Sequence, residues 1–319
     1  MSPWFDGIPH EFLWLFGSLI GLLGLASLTG ALLARRRNDA KKAESIENLN
    51  ARINAWWVMI AILAVAFLTG PTMTLVLFAF ASFFALREFI TLTPSRMGDH
   101  LSLFLSFFVI IPAQYVLIGT GQYGIFAIFI PVYAFLLLPS ITAMRSDIED
   151  FLSRSAKQQW ALMVTVYCLS HAPALLMLPL PGAPERNALL LFYLLLVVQM
   201  SDVMQYVFGK LFGKTKIAPL VSPSKTVEGF VGGGLAATAI GGAMWWITPF
   251  TPLQSAAIAA IIVVMGFLGG LTLSAVKRSL GAKDWGVMIE GHGGMLDRTD
   301  SICFAAPVFF HVVRWFYAS

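Results

Sequence analysis

The chain has 319 residues, 58% of them hydrophobic and only 12% charged, with a formal net charge of +4 and a mean hydropathy of +0.78. An ordinary soluble domain carries about 25% charged residues, so the composition excludes a soluble enzyme and indicates an integral membrane protein. The net positive charge suits an anionic leaflet rather than nucleic acid, and no nucleic-acid partner is expected.

A run of about 20 apolar residues crosses roughly 30 Å of hydrocarbon. Reading between charged or Gly/Pro-rich breaks predicts spans at 11–34, 55–69, 71–90, 101–119, 122–143, 160–181, 187–200, 231–249, 254–273 and 302–318. The expected fold is an all-α polytopic membrane protein of about ten transmembrane helices. About seven fall in an N-terminal region, 1–200, and about three in a C-terminal region, 201–319, that holds the chemistry.

The first span has no Lys or Arg before it and a basic block behind it, the pattern of an outside-to-inside anchor rather than a cleaved leader. The basic segment 35–54, built on "RRRNDAKKAESIENLNAR", is expected at the cytoplasmic surface. With the N-terminus outside, every one of the 21 basic residues except Arg186 and Arg314 falls on the cytoplasmic side. Cys168 and Cys303 both lie in predicted helices and suggest neither a disulfide framework nor a thiolate metal site. His171, in "CLSHAPALLMLP", and Gln199 are polar groups inside apolar runs, and such a histidine is more often packed and hydrogen-bonded than a proton relay.

Two cytoplasmic segments carry unusual chemistry. The first, "SDVMQYVFGKLFGKTKIAPLVSPSKTVEGF" from Ser201 to Phe230, offers lysines and glycine-backbone N–H groups to an anion. A Walker P-loop is excluded, because Phe208 stands where the leading glycine belongs and no flanking strand is predicted. Asp202 follows the end of a span, and an ionisable group at a membrane boundary is a functional candidate because burying it is expensive.

The second segment, "SAVKRSLGAKDWGVMIEGHGGMLDRTDS", packs Ser274 to Ser301 into 28 residues. Asp297 and Asp300, three apart, share one helix face. Such a pair suits Mg²⁺, a hard cation held by one or two carboxylates together with substrate phosphates. Ser274, Lys277 and Arg278 gather upstream, Lys283 and Asp284 follow Gly281, and Gly291, His292, Gly293 and Gly294 let the backbone approach a ligand closely. Singly these residues read as helix-terminal charge or topogenic charge. Their coincidence in one short segment argues for a site.

These residues resemble the C-terminal signature of the phosphatidate cytidylyltransferases, S-x-x-K-R, K-D, then G-H-G-G-x-x-D-R-x-D. The earlier segment resembles the same family's S-D … Y … G-x-x-x-G-K … S-P-x-K-T-x-E-G block, and "LREFITL" at 86–92 is a fainter echo. The resemblance implies a multi-pass enzyme of the cytoplasmic (inner) membrane that makes CDP-diacylglycerol and pyrophosphate from CTP and phosphatidate in phospholipid biosynthesis. It implies catalytic roles for Asp297, Lys277, Arg278, Asp284 and Arg298. Substrate contacts would come from Ser222, Ser224, Lys225, Thr226, Lys214, Ser274, His292, Gly293 and Gly294. Mg²⁺ would be held by Asp297 with Asp300, Asp202 or Asp284; a second cation and a homodimer are left open.

The chain departs from that pattern in "GFLGGLTLSAVKR", where Gly270 stands in place of an expected Asp. Trp285 replaces a small polar residue, and "IEGHGG" brings Glu290 near the site, where it can stand in for the missing carboxylate. Weaker Mg²⁺ binding is expected, corrected by Gly270→Asp. Two rival readings are a catalytically weak or inactive lipid- or nucleotide-binding homologue and a membrane transporter. Against the latter, the charges gather at one face rather than at mid-membrane.

Overall fold

The computed structural model describes residues 10–35, 40–180, 187–288 and 293–318. Helices occupy each of the expected apolar runs: α1 His10–Arg35, α2 Ala40–Thr69, α3 Pro71–Thr91, α4 Met97–Gly119, α5 Tyr123–Ala143 and α6 Phe151–Met177, followed by α7 Asn187–Phe212, α8 Val227–Ala243, α9 Pro252–Ser279 and α10 Met295–Tyr317. Seven of the described helices are long and apolar enough to cross a membrane: α1 through Trp14–Leu32, α3 to α7, and α9. The other three fall short for visible reasons. The apolar part of α2 is only Ile53–Thr69, α8 has 17 residues, and α10 opens on Asp297, Arg298 and Asp300.

The structure corrects the expected boundaries where the chemistry lies. No proline interrupts the chain between Asn187 and Phe212, so α7 continues past Met200 through Asp202 to Phe212, and the first part of the expected loop is helix. α9 likewise runs to Ser279, placing Ser274, Lys277 and Arg278 on its last turns; Gly281, at φ +73, then turns the chain in a conformation that glycine adopts without steric cost. Break residues act as expected between α2 and α3, where Gly70 is followed by Pro71 at the first helical position.

A small antiparallel hairpin qualifies the all-α expectation. β1, Lys216–Ala218, pairs with β2, Ser222–Thr226, matching Lys216 to Thr226 and Ala218 to Ser222. Pro223 is tolerated because a strand with one partner leaves half its N–H groups without a ladder role. The hairpin is hidden from periodicity by its length, yet it delivers Lys225 to the helices.

Glycines set the packing around it. A Cβ on Gly229 of α8 would lie 2.8 Å from the Gln205 carbonyl of α7, and one on Gly269 of α9 would lie 2.7 Å from the Asp300 carbonyl of α10. Only hydrogen at these positions lets the backbones approach so closely, as small residues do at membrane helix contacts. α3 is threaded through the core, with Ala85, Leu86 and Phe89 buried. His171 is buried among Phe126, Tyr167, Phe310 and His311, with its Nδ1 2.8 Å from the Tyr167 carbonyl, in keeping with a packed histidine.

Candidate active site

Two separate parts of the chain meet at Ser301, and a third reaches in near them. Its hydroxyl lies 3.2 Å from Asp202 Oδ1 of α7 and 3.4 Å from Oδ1 of its neighbour Asp300 on α10. One hydroxyl hydrogen serves two carboxylates, so the pair is held together while each keeps acceptor capacity free. Asp300 Oδ1 also accepts from the Ser301 N–H at 2.7 Å. Lys225 reaches in from β2, donating to the Phe267 carbonyl at 3.4 Å with its ammonium 4.7 Å from the Phe267 ring. Burial pushes the Lys225 pKa down, against the opposing pull of Asp300 and Asp202. The charge of Arg298 acts favourably on both carboxylates from the same helix as Asp300, and its buried Nε has no partner among the described residues. Asp202 is the exposed member of the cluster, whereas Lys225, Arg298 and Asp300 are half-buried.

Asp297 does something else. Lys277 forms an ion pair with its Oδ1, while its Oδ2 accepts from the backbone N–H groups of Trp285 at 2.8 Å and Gly294 at 2.9 Å. Both side chains are nearly buried. The carboxylate thus ties the end of α9, the following loop and the start of α10 together. Gly293, at φ +79, makes the turn that permits this, and a Cβ there would stand 2.7 Å from Asp297 Oδ2.

Glu88 is a residue that the motif reading misses, although it stands in "LREFITL" as an ionisable group inside an apolar run. It is buried on α3, and its two oxygens accept from the N–H groups of Met295 and Leu296, both at 2.8 Å. A carboxylate at a helix N-terminus satisfies donors that have no partner within the helix and favours the macrodipole. Gly294 and Gly286 leave room for it. Trp285, buried and stacked on Phe89 at 5.0 Å, docks the same loop on α3. Glu88→Ala is expected to cost about 1–3 kcal/mol, the penalty for stranding buried donors, and to lower transfer by loosening α10. Thermal unfolding of the purified variant, followed beside turnover, checks this.

The remaining expected contacts divide. Thr226 is buried, and its hydroxyl caps α8 by accepting from Gly229 N–H at 3.1 Å, so it is spent on the fold. The Lys214 and Thr215 N–H groups, which follow Gly213, are held by Glu228 at 2.9 and 3.1 Å, and these bonds, led by that from Lys214, hold the Glu228 carboxyl down to about 2. The side chain of Lys214 is left exposed. Ser274 donates to the Gly270 carbonyl one turn back at 2.6 Å. Arg278 is exposed and reaches the Val221 carbonyl of the hairpin turn at 3.4 Å. Ser222 and Ser224 line the strand that carries Lys225. Asp284 is exposed and forms no hydrogen bond or ion pair with the described residues. His292 and Glu290 lie outside the described residues.

Among the described residues, Asp202 and Asp300 are the carboxylates that best fit Mg²⁺. No group of three or more His, Cys, Asp or Glu converges among the described residues, so no closed cage is present. Asp202 and Asp300 supply two carboxylates on one spot, enough for a cation whose shell is completed by water and substrate phosphate. Asp297 has both oxygens engaged by protein donors, so its carboxylate has less acceptor capacity left than that of Asp300.

Comparison with known proteins turns this geometry into a family assignment. The sequence pattern of the cytidylyltransferase family matches residues 50–316, from the middle of α2 to the end of α10. The chain belongs to the cytidylyltransferase family. It is 38% identical over 302 residues to the uncharacterized protein YnbB of Escherichia coli (strain K12), covering 93% of this chain and 97% of that one. It is also similar to two proteins named phosphatidate cytidylyltransferase. That of Staphylococcus saprophyticus is 38% identical over 178 residues, 54% of this chain and 68% of the relative. That of Staphylococcus haemolyticus is 39% identical over 120 residues, 37% of this chain and 46% of the relative. The clustered residues, Asp202, Lys225, Arg298, Asp300 and Ser301, all fall within the matched span of this cytidylyltransferase-family chain.

Proposed function

We propose that the chain transfers CMP from CTP to phosphatidate, giving CDP-diacylglycerol and pyrophosphate. The observation that carries this reading is the meeting of Asp202 and Asp300 at the Ser301 hydroxyl, within the electrostatic reach of Lys225 and Arg298. Family membership supports the cytidylyl chemistry, and the partial similarity to two phosphatidate cytidylyltransferases supports the lipid. The site also suits an amphiphile. Asp202 and Asp300 stand on helices that continue as apolar rods, whereas Lys225 comes from a polar hairpin.

A phosphate oxygen of phosphatidate attacks the α-phosphate of CTP and pyrophosphate departs. The attacking oxygen is already anionic, so no general base is needed, and the task is positioning and charge neutralisation. Lys225 and Arg298 bind phosphate oxygens at the centre, and Arg278 stands at the rim of the hairpin. Asp202 and Asp300 would hold Mg²⁺, which when bound would supply charge that neutralises phosphate oxygens. Lys277 and Asp297 fix the loop that closes one side. Protein purified in detergent is expected to move label from the α-phosphate of CTP into lipid when given phosphatidate and Mg²⁺, and not when given diacylglycerol. Absence of labelled lipid with phosphatidate would refute the reading.

One observation favours a second reading, an inactive nucleotide- or lipid-binding homologue: position 270 carries no carboxylate, and a Cβ there would meet Lys225 rather than open space. Retained CTP binding without any product would select it.

The basic residues support a site on the cytoplasmic face of the cell membrane with the N-terminus outside, since all of them except Arg186 and Arg314 then lie inside. Single cysteines at Lys214 and Lys283, both exposed, are expected to react with an impermeant thiol reagent only after cells are permeabilised. Labelling of intact cells would reverse the orientation.

A further inference from the structure

Gly270 faces the carboxylate pair from α9. A Cβ built on it would lie 2.9 Å from Lys225 Nζ, 3.5 Å from the Ser301 hydroxyl and 3.6 Å from Asp300 Oδ2. The space that a side chain would fill is therefore bordered by an ammonium, by the pair's shared hydroxyl and by a carboxylate oxygen. Asp300 Oδ2 accepts no hydrogen bond from the described residues, and no ion pair joins it to Lys225. The ammonium is held short of direct contact by the Phe267 carbonyl and ring. Phe267 belongs to the same helix as Gly270, so the rigid α9 fixes both the seat of the cation and the gap before it.

Two carboxylates with no cation nearby attract a divalent ion on their own. A fixed positive charge at short range opposes that attraction, and it attracts the phosphate oxygens that can complete the ion's shell. A lysine is suited to this task, since its ammonium is a compact point charge on a flexible stem. Gly270 is what gives that stem room.

We propose that the Lys225 ammonium, seated against Gly270, is a built-in cation that takes the place of a metal-binding side chain at position 270, so that Asp202 and Asp300 retain a divalent ion only together with nucleotide phosphates. The inference rests on the nucleotide-binding part of the proposed function and deepens it: the metal enters with the nucleotide instead of waiting in the site. It also changes what Gly270→Asp does. The new carboxylate meets Lys225 first, neutralises it, and thereby restores the pair's own hold on the metal.

The test is direct Mn²⁺ binding by electron paramagnetic resonance, on protein purified in detergent and checked for monodispersity, with and without CTP and with no lipid present. Wild-type protein is expected to bind Mn²⁺ weakly alone and tightly with CTP. Lys225→Gln is expected to tighten binding in the absence of CTP by about tenfold or more, a modest share of the effect of one full charge a few ångströms away at an effective dielectric of about 20. Gly270→Asp should do the same while leaving Lys225 in place, so the result does not depend on one variant folding. Asp300→Asn added to either should remove the gain. If wild type binds Mn²⁺ without CTP as tightly as both variants, or if CTP brings no Mn²⁺ onto wild type, the inference is overturned. Transfer to phosphatidate is measured separately on the wild type. Product formation with a flat Mn²⁺ pattern sinks the Lys225 role alone, whereas the expected Mn²⁺ pattern without product sinks only the transferase reading.

Discussion

Asp300→Asn will lower CMP transfer by about 10²-fold or more, the loss typical of removing a key electrostatic group from a reacting centre, with little change in thermal unfolding. The substitution is isosteric. An asparagine oxygen can still accept from the Ser301 N–H as Oδ1 does at 2.7 Å, so the start of α10 is retained. The group replaced is Oδ2, which has no donor among the described residues and is free for a cation. Turnover at saturating CTP and phosphatidate, measured over a range of Mg²⁺, separates the outcomes. A defect fully cured by more Mg²⁺ would mean that Asp300 only tunes metal affinity; near-normal turnover throughout would remove it from the site.

Asp297→Asn will fail for a different reason. It leaves the nearly buried Lys277 ammonium without its ion-pair partner, and breaking a buried pair from one side costs about 3–5 kcal/mol. The same carboxylate holds the N–H groups of Trp285 and Gly294, so stability and activity should fall together. Lys277→Met in the same chain removes the stranded charge and should recover much of the stability without recovering turnover. A double-mutant cycle on unfolding shows this as strong non-additivity. Additive losses would indicate that the two side chains do not depend on each other.

These contrasting expectations mark what the sequence reveals. The apolar runs are legible because a membrane span imposes length and composition on one continuous segment. Helices occupy all of them, although α2, α8 and α10 are too short or too charged to be identified as spans by length and apolarity. The candidate residues are legible as a set because charge is rare in this chain. Their partition is not. Asp297 and Asp300 share a helix face by spacing, yet Asp297 faces Lys277 and the loop while Asp300 shares a hydroxyl with Asp202 from a distant helix. No periodicity encodes that pairing, which arises where α7, α9 and α10 cross.

Carboxylates that act on backbone are equally hidden. Glu228 takes the N–H groups after Gly213, and Glu88 takes those that open α10. Their one sequence signal is an acidic residue in an apolar or basic setting, which points to a partner without naming it. Thr226 could have been assigned from sequence, since a Thr before a glycine-rich apolar run is a natural helix cap.

The most direct measurement follows both ends of CTP through one reaction of the purified protein with phosphatidate and Mg²⁺. Label on the α-phosphate should appear in the lipid and label on the γ-phosphate in pyrophosphate, in equal amounts, and both should fall by about 10²-fold or more in the Asp202→Asn and Asp300→Asn variants while the fold persists. Wild-type protein that yields no more labelled lipid than those variants, or variants that match wild type, would contradict the assignment of CMP transfer to the Asp202–Asp300 cluster.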